Sequence, residues 1–327
     1  MGAGSIWLTA RNSIIVGLAG SLLALGGINP ATAQEKFPSQ SIEIVATFGP
    51  GGGADLMARK MAQLLEPILG VPVFVSNVAG ASGNAGLTKM LLNPPDGYTV
   101  ATLIAPSVSA WASGIGTVTP DDFTILAVVM DTPSMLFVPA DSPFQTFKEF
   151  LDYAKANPGK LRVATSGIGT EDDITLKYLA SLGYRTVNVP YAKPLERYAS
   201  PFGKRTHAIY EQPGDVAEFL ASKKLRPLVV FDRERHPDFK DVPASKEFGL
   251  EISDLYLFRA LVVPAKTPPQ TVKILADAID RALASPEWKK FCAENLSCAK
   301  KYIPEQAKAY VKKYYETVLA YVDKLSR

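Results

Sequence analysis

The segment Phe48-Gly49-Pro50-Gly51-Gly52-Gly53-Ala54-Asp55 joins two stretches of different character. Before it, Ser41 to Phe48 reads as a buried strand. After it, Ala54 to Leu69 carries Leu56, Met57, Met61, Leu64, Leu65 and Ile68 at helical spacing. The glycines between are the turn, and Asp55 suits the cap of the following helix. Contiguous glycines let a ligand approach backbone N–H groups, and a helix N-terminus favours anions. Gly49, Gly51, Gly52, Gly53 and Ala54 are therefore candidates for holding a carboxylate without any lysine. The alternative is a tight turn with no ligand. The loop is neither a phosphate-binding P-loop, since no Gly-Lys-Ser/Thr follows, nor a dinucleotide fingerprint, since its glycines are contiguous.

The same logic recurs along the chain. Strands are expected at Val71 to Val75, Tyr98 to Ile104, Phe123 to Val129, Met135 to Val138, Leu161 to Thr165, Arg185 to Val189, His207 to Glu211 and Arg226 to Phe231. Helices are expected at Leu87 to Leu92, Phe147 to Asn157, Asp172 to Leu182, Asp215 to Ala221, Pro269 to Leu283, Glu287 to Asn295 and Pro304 to Leu325. Such alternation implies α/β units around mainly parallel sheets, with a ligand at the carboxyl ends of strands. Ser166-Gly167-Ile168-Gly169-Thr170 is a second glycine-rich loop between strand and helix. Ser166, Gly169 and Thr170 offer hydroxyl and backbone donors for a second oxyanion, while Thr170 also suits a plain N-cap. In a third glycine-rich stretch, Asn77 to Gly86, Asn84 reaches an anion or simply serves a close-packed connection.

Bulk properties narrow the function. Arg11, the apolar run Ile14 to Leu25, the breakers Gly26, Gly27 and Pro30, and Ala31-Thr32-Ala33 form an export signal with cleavage after Ala33. An exported protein is expected. A net charge of +3 over 327 residues argues against nucleic acid or membrane surfaces as general partners. Two cysteines, Cys292 and Cys298, permit a disulfide in an exported chain but do not require one. Two histidines and no Cys-x-x-Cys give a metal site little support, and no cofactor is expected.

The chain resembles the substrate-binding proteins of tripartite tricarboxylate transporters, often called Bug receptors. The resemblance rests on an ordered set: the first glycine loop, Asn77 with Gly80 to Gly86, Pro95-Asp96-Gly97-Tyr98-Thr99, Val189-Pro190-Tyr191, Leu225-Arg226-Pro227-Leu228, Asp241-Val242-Pro243, Glu247-Phe248-Gly249-Leu250 and Val263-Pro264-Ala265-Lys266-Thr267-Pro268. It implies a periplasmic-binding α/β fold of two lobes closing over a small organic carboxylate. Lobe 1 would hold residues 36–137 plus 260–327, and lobe 2 residues 138–259. It implies membrane permease subunits as partners, a monomer, and backbone capture of the carboxylate by Gly49 to Ala54 and Ser166 to Thr170.

The departures from the family pattern cluster on the second-lobe side. Ala192-Lys193-Pro194 follows Pro-Tyr, Asp173 and His207 stand at altered positions, and Tyr256-Leu257-Phe258-Arg259 replaces a segment usually carrying Trp and Gly. Lys193, His207 and Arg259 add positive groups, and Tyr256 and Phe258 add aromatic area. The ligand is therefore expected to be more anionic or more aromatic than an amino acid. Arg259 is assigned a paired contact with one carboxylate or else a salt bridge, and Tyr191 stacks on a ligand or packs. A sensor subunit of the same fold is an alternative. So is a hydrolase using Ser166 with His207 or His236, although no triad spacing and no Gly-x-Ser-x-Gly supports it.

Overall fold

The computed structural model describes residues 36–296 and 302–326. The export segment expected at residues 1–33 and Cys298 lie outside them. From Phe37 onward the chain is one compact unit. It opens β1 (Ile42–Ala46), α1 (Gly53–Leu69), β2 (Val73–Asn77), α2 (Asn84–Leu92), β3 (Thr99–Ile104), α3 (Ala105–Ala112), β4 (Phe123–Thr132). A second series follows: β5 (Met135–Pro139), α4 (Phe147–Ala156), β6 (Arg162–Thr165), α5 (Glu171–Ser181), β7 (Val187–Pro190), α6 (Pro194–Ala199), β8 (Ala208–Glu211), α7 (Ala217–Ala221), β9 (Leu225–Val230). The chain ends with β10 (Leu257–Pro264), α8 (Pro269–Ala284), α9 (Pro286–Glu294) and α10 (Pro304–Leu325).

These strands build two five-stranded sheets, ordered β2-β1-β3-β10-β4 and β7-β6-β8-β5-β9. β1 is parallel to β2 and β3, while β10 is antiparallel to both β3 and β4. The second sheet repeats this: β6 is parallel to β7 and β8, and β5 is antiparallel to β8 and β9. Each sheet is thus mainly parallel in strand direction, with one reversed strand in fourth place. That reversed strand is always the first after the chain has crossed between sheets. One crossing is Pro133-Ser134; the other occupies residues 231–256.

The crossings differ from the sequence expectation. A boundary at 137/138 falls inside β5, and one at 259/260 falls inside β10. Apolar runs without alternation carry no signal for which sheet they join. β10 itself was not expected as a strand for the same reason, being buried along its whole length.

Two layers cover the first sheet. α1 and α8 bury Met57, Met61, Leu65, Leu275 and Ile279 on one face. On the other, Leu87, Met90, Val108 and Trp111 join a core that runs on into Leu136, Phe147, Val163 and Leu179 of the second sheet's layer. α10 packs on α3 and β4 of the first lobe and on α5 of the second. Tyr314 shares a 3.0 Å hydroxyl contact with Ser109, and Tyr321 Oη donates to Glu251 O at 2.9 Å. The long terminal helix is therefore packed, with Ala307, Val311, Tyr314 and Val318 buried. Among the described residues no cysteine is a free thiol, and no helix is long and apolar enough to cross a membrane.

Candidate ligand-binding cleft

The two glycine-rich loops fold by one local recipe. In the first, Asp55 stands in the opening turn of α1. Its Oδ2 accepts from Gly51 N at 3.0 Å, and its Oδ1 accepts from Asn77 Nδ2 at 2.8 Å. Arg59, one turn on, pairs with it at 2.9 Å. In the second, Asp173 of α5 accepts from Gly169 N at 2.8 Å and from Asn188 Nδ2 at 2.7 Å, and Lys177 pairs with it at 2.8 Å. Each bracket also ties its asparagine to a loop carbonyl, Phe48 O and Gly167 O. Burial opposes the Asp55 charge, but Arg59, the Gly51 N–H and Asn77 outweigh it and hold its carboxyl below the usual range.

Between the loops lies a small cavity of about 30 Å³, enough for one or two waters. Gly52, Gly53 and Ala54 line it from the first lobe, and Ser166, Glu171 and Asp172 from the second. It sits at the carboxyl ends of β1, β3, β6 and β8, the expected place for a ligand in parallel sheets. The lobes meet tightly around it. A Cβ on Gly52 would lie 2.5 Å from Pro194 Cγ, and one on Gly53 would overlap the Arg259 guanidinium and the Asp215 carboxylate.

The cavity wall is strongly charged. Arg259 of β10 reaches across the lobes, its Nη2 donating to Asp215 Oδ2 at 2.6 Å and to Gln212 Oε1 at 3.0 Å. Within the second lobe Arg197 of α6 pairs with Glu211 of β8. Glu171 and Asp172 add two further carboxyl groups, so four carboxyls face two guanidinium groups. Asp172 is held by neutral donors: Ser166 N at 2.5 Å, Ser166 Oγ at 2.9 Å, and Thr170 Oγ1. Burial, followed by the neighbouring Asp172 charge, pushes the Glu171 carboxyl well up. Burial raises Asp172 against its hydroxyl and amide donors. Glu211 is pushed up to about 7 by burial, with Arg197 pulling the other way and Asp215 adding to the rise. Burial opposes the Arg197 charge, yet Glu211, Tyr198 and Asp172 raise its proton affinity, so it stays a cation.

Four buried polar atoms on this wall have no hydrogen-bond partner: Glu171 Oε2, Arg197 Nε, Tyr198 Oη and Arg259 Nε. Unpaired groups of this kind are costly, and native proteins keep few of them. Their convergence on one cavity makes it the candidate site for a polar ligand.

Several expected site residues are placed elsewhere. Gly49 and Gly51 do not line the cavity; they lie against Pro194 and Leu195 of α6. Gly169 is used in the Asp173 bracket, and the Thr170 hydroxyl is shared between the Asp172 carboxylate and Gly167 O, the latter 3.0 Å away. Asn84 Oδ1 accepts from Trp111 Nε1 at 2.6 Å, which makes it a packing link. Tyr191 packs against the second-lobe core rather than facing the cavity. His207 requires the plainest correction. It precedes β8, at the end of the strand opposite Glu211, where its Nδ1 accepts from Arg162 N at 2.9 Å.

Most of the groups behind the expectation of a more anionic or aromatic ligand do not line this cavity. Lys193 is exposed and pairs with Glu196, Tyr256 donates to Asp232, and Phe258 is core beneath Tyr310 and Tyr314. Of the added groups only Arg259 reaches the cavity. Arg197, Glu211, Gln212 and Asp215 were not expected there. The available signal was Glu211-Gln212 ending a short strand at its carboxyl edge.

The model of the tripartite tricarboxylate transporter family receptor matches residues 57–310. The chain belongs to this receptor family. It is 33% identical to a Cupriavidus necator protein described as "UPF0065 protein in gbd 5'region", over 85% of this chain and 86% of that one. Among solved structures, the periplasmic binding protein BugD matches at 25% identity with a TM-score of 0.82, covering 89% of this chain and 99% of its own. An R. palustris protein solved with adipate matches at 22% identity and a TM-score of 0.80, over 88% of this chain and 98% of that one, and speaks to the fold alone. The receptor's two-lobed α/β architecture is that of these periplasmic binding proteins.

Proposed function

We propose that this receptor works in the periplasm, holds a small organic acid between its two lobes, and presents the closed form to the membrane subunits of a tripartite tricarboxylate transporter. The observation that carries the reading is the set of buried unpaired polar atoms on one interlobe cavity. Three of them, Arg197 Nε, Arg259 Nε and Tyr198 Oη, are donors suited to an acid group. The first turn of α1, opened by Gly53 and Ala54, adds N–H groups without partners inside the helix. Binding consists of parting the lobes, admitting the ligand and closing again, with no bond made or broken.

A thermal-shift panel of citrate, short dicarboxylates, aromatic acids and amino acids tests the reading. A ligand present at a hundredfold excess over its Kd stabilises the fold by about 2.7 kcal/mol, so at least one member is expected to raise Tm clearly. Silence across the panel from demonstrably folded protein overturns it.

A further inference from the structure

The charges on the cavity wall do not balance. Arg259 is matched by Asp215, and Arg197 by Glu211. Asp172 has the Arg197 charge nearby, and Glu171 is left without a cation. Asp172 has its three neutral donors, but Glu171 Oε2 faces the cavity with none, on a side chain only 1% exposed. A buried carboxyl group in that setting either keeps its proton or meets a cation. An acid with no other charge would add a fifth acidic group to the four already present. The donors left for its acid end, Arg197 Nε, Arg259 Nε and Tyr198 Oη, do nothing for Glu171.

We infer that the ligand carries a protonated amine as well as an acid group, and that the amine sits against Glu171. The inference rests on the reading that an organic acid closes this cleft, and it names the second half of that ligand. An ammonium group presents three N–H donors and no acceptor. It therefore satisfies Glu171 Oε2 and shares its charge with the neighbouring Asp172 and Glu211 carboxyls. The shift of Glu171 toward its protonated form fits the same arrangement: with no cation beside it, the proton stands in for one.

Matched probe pairs on the full chain test it: aspartate against succinate, glutamate against glutarate, and 4-aminobutyrate against butyrate, by calorimetry. The amine-bearing member of at least one pair is expected to bind about tenfold or more tightly than its partner, a difference of about 1.4 kcal/mol. In Glu171→Gln that ratio is expected to fall toward one. Gln keeps the shape of the protonated acid, and the wild-type ratio stands as a test by itself. Equal or tighter binding of the amine-free acids overturns this inference and leaves the acid-receptor reading intact. An unchanged ratio in Glu171→Gln overturns the assignment to Glu171. Absence of binding by every probe and by the wider acid panel overturns both.

Discussion

The starts of α1 and α5 are the same device carried to different ends. Each follows a glycine-rich loop at the carboxyl end of a parallel strand. Each is bracketed by an aspartate that takes a loop N–H, an asparagine side chain and a basic residue one turn on. The difference lies in the two positions before that aspartate. α1 has Gly53-Ala54, and α5 has Glu171-Asp172. The bare start of α1 leaves room for the Arg259–Asp215 pair, so the acid group lying over it comes from the opposite lobe. The start of α5 carries its own acids, one of which closes the loop's donors. One helix start is bare and borrows a carboxylate from across the cleft, and the other carries its own acids. A glycine-rich strand–helix loop thus specifies a position in the fold, while the first two helical residues decide its charge.

Removing the cross-lobe clasp should have the largest effect. Arg259→Ala strands Asp215 in the closed cleft, and breaking a buried pair from one side costs about 3–5 kcal/mol. The closed form is expected to open, read as a larger radius of gyration in ligand-free solution scattering. An unchanged radius would mean that the start of α1 does not depend on its borrowed carboxylate. The equivalence of the brackets is checked by Asp55→Ala and Asp173→Ala. Each leaves a loop N–H and one asparagine N–H without an acceptor, for an expected loss of about 2–3 kcal/mol in urea unfolding. A loss at one position only would break the symmetry claimed here.

The smallest effect concerns acidity. Glu211 is pushed up to about 7 in the fold from an ordinary 4.5. Between those values the folded chain holds a proton that the unfolded chain has released. Its contribution is therefore full below about pH 4.5, declines as pH rises, and levels off above about 7. From pH 5 to 7 that decline is about 2 kcal/mol. His207 and His236, lowered by burial, act with the opposite sign below pH 6.5. The Glu211 part is isolated as the wild-type profile minus that of Glu211→Gln. A flat difference would show the acidic side of the cleft to be fully ionised already.

The sequence made much of this legible, for identifiable reasons. Strand–loop–helix units with period-matched apolar residues, such as Ser41 to Leu69, announce themselves locally. α3 and α6 did not, because Ala105–Ala112 is buried all round and Pro194–Ala199 is too short to show a period. Gly52, Gly53, Ala54, Ser166 and Arg259 were read as site residues and do line the cavity. Arg197, Glu211 and Asp215 were not, since their meaning depends on which helix closes over which strand. His207 and Tyr256 misled because position in the chain near a motif is not position near the cleft.

The place of β10 has a consequence for the order in which the molecule is made. The second sheet is drawn from one uninterrupted stretch, β5 to β9, residues 135–230, and has every strand once that stretch is available. The first sheet needs its fourth strand from residues 257–264, so β4 has no partner joining it to β3 until most of the polypeptide has been synthesised. The lobe written first is therefore finished last. A newly made chain carries an open gap in its N-terminal sheet until its C-terminal quarter arrives.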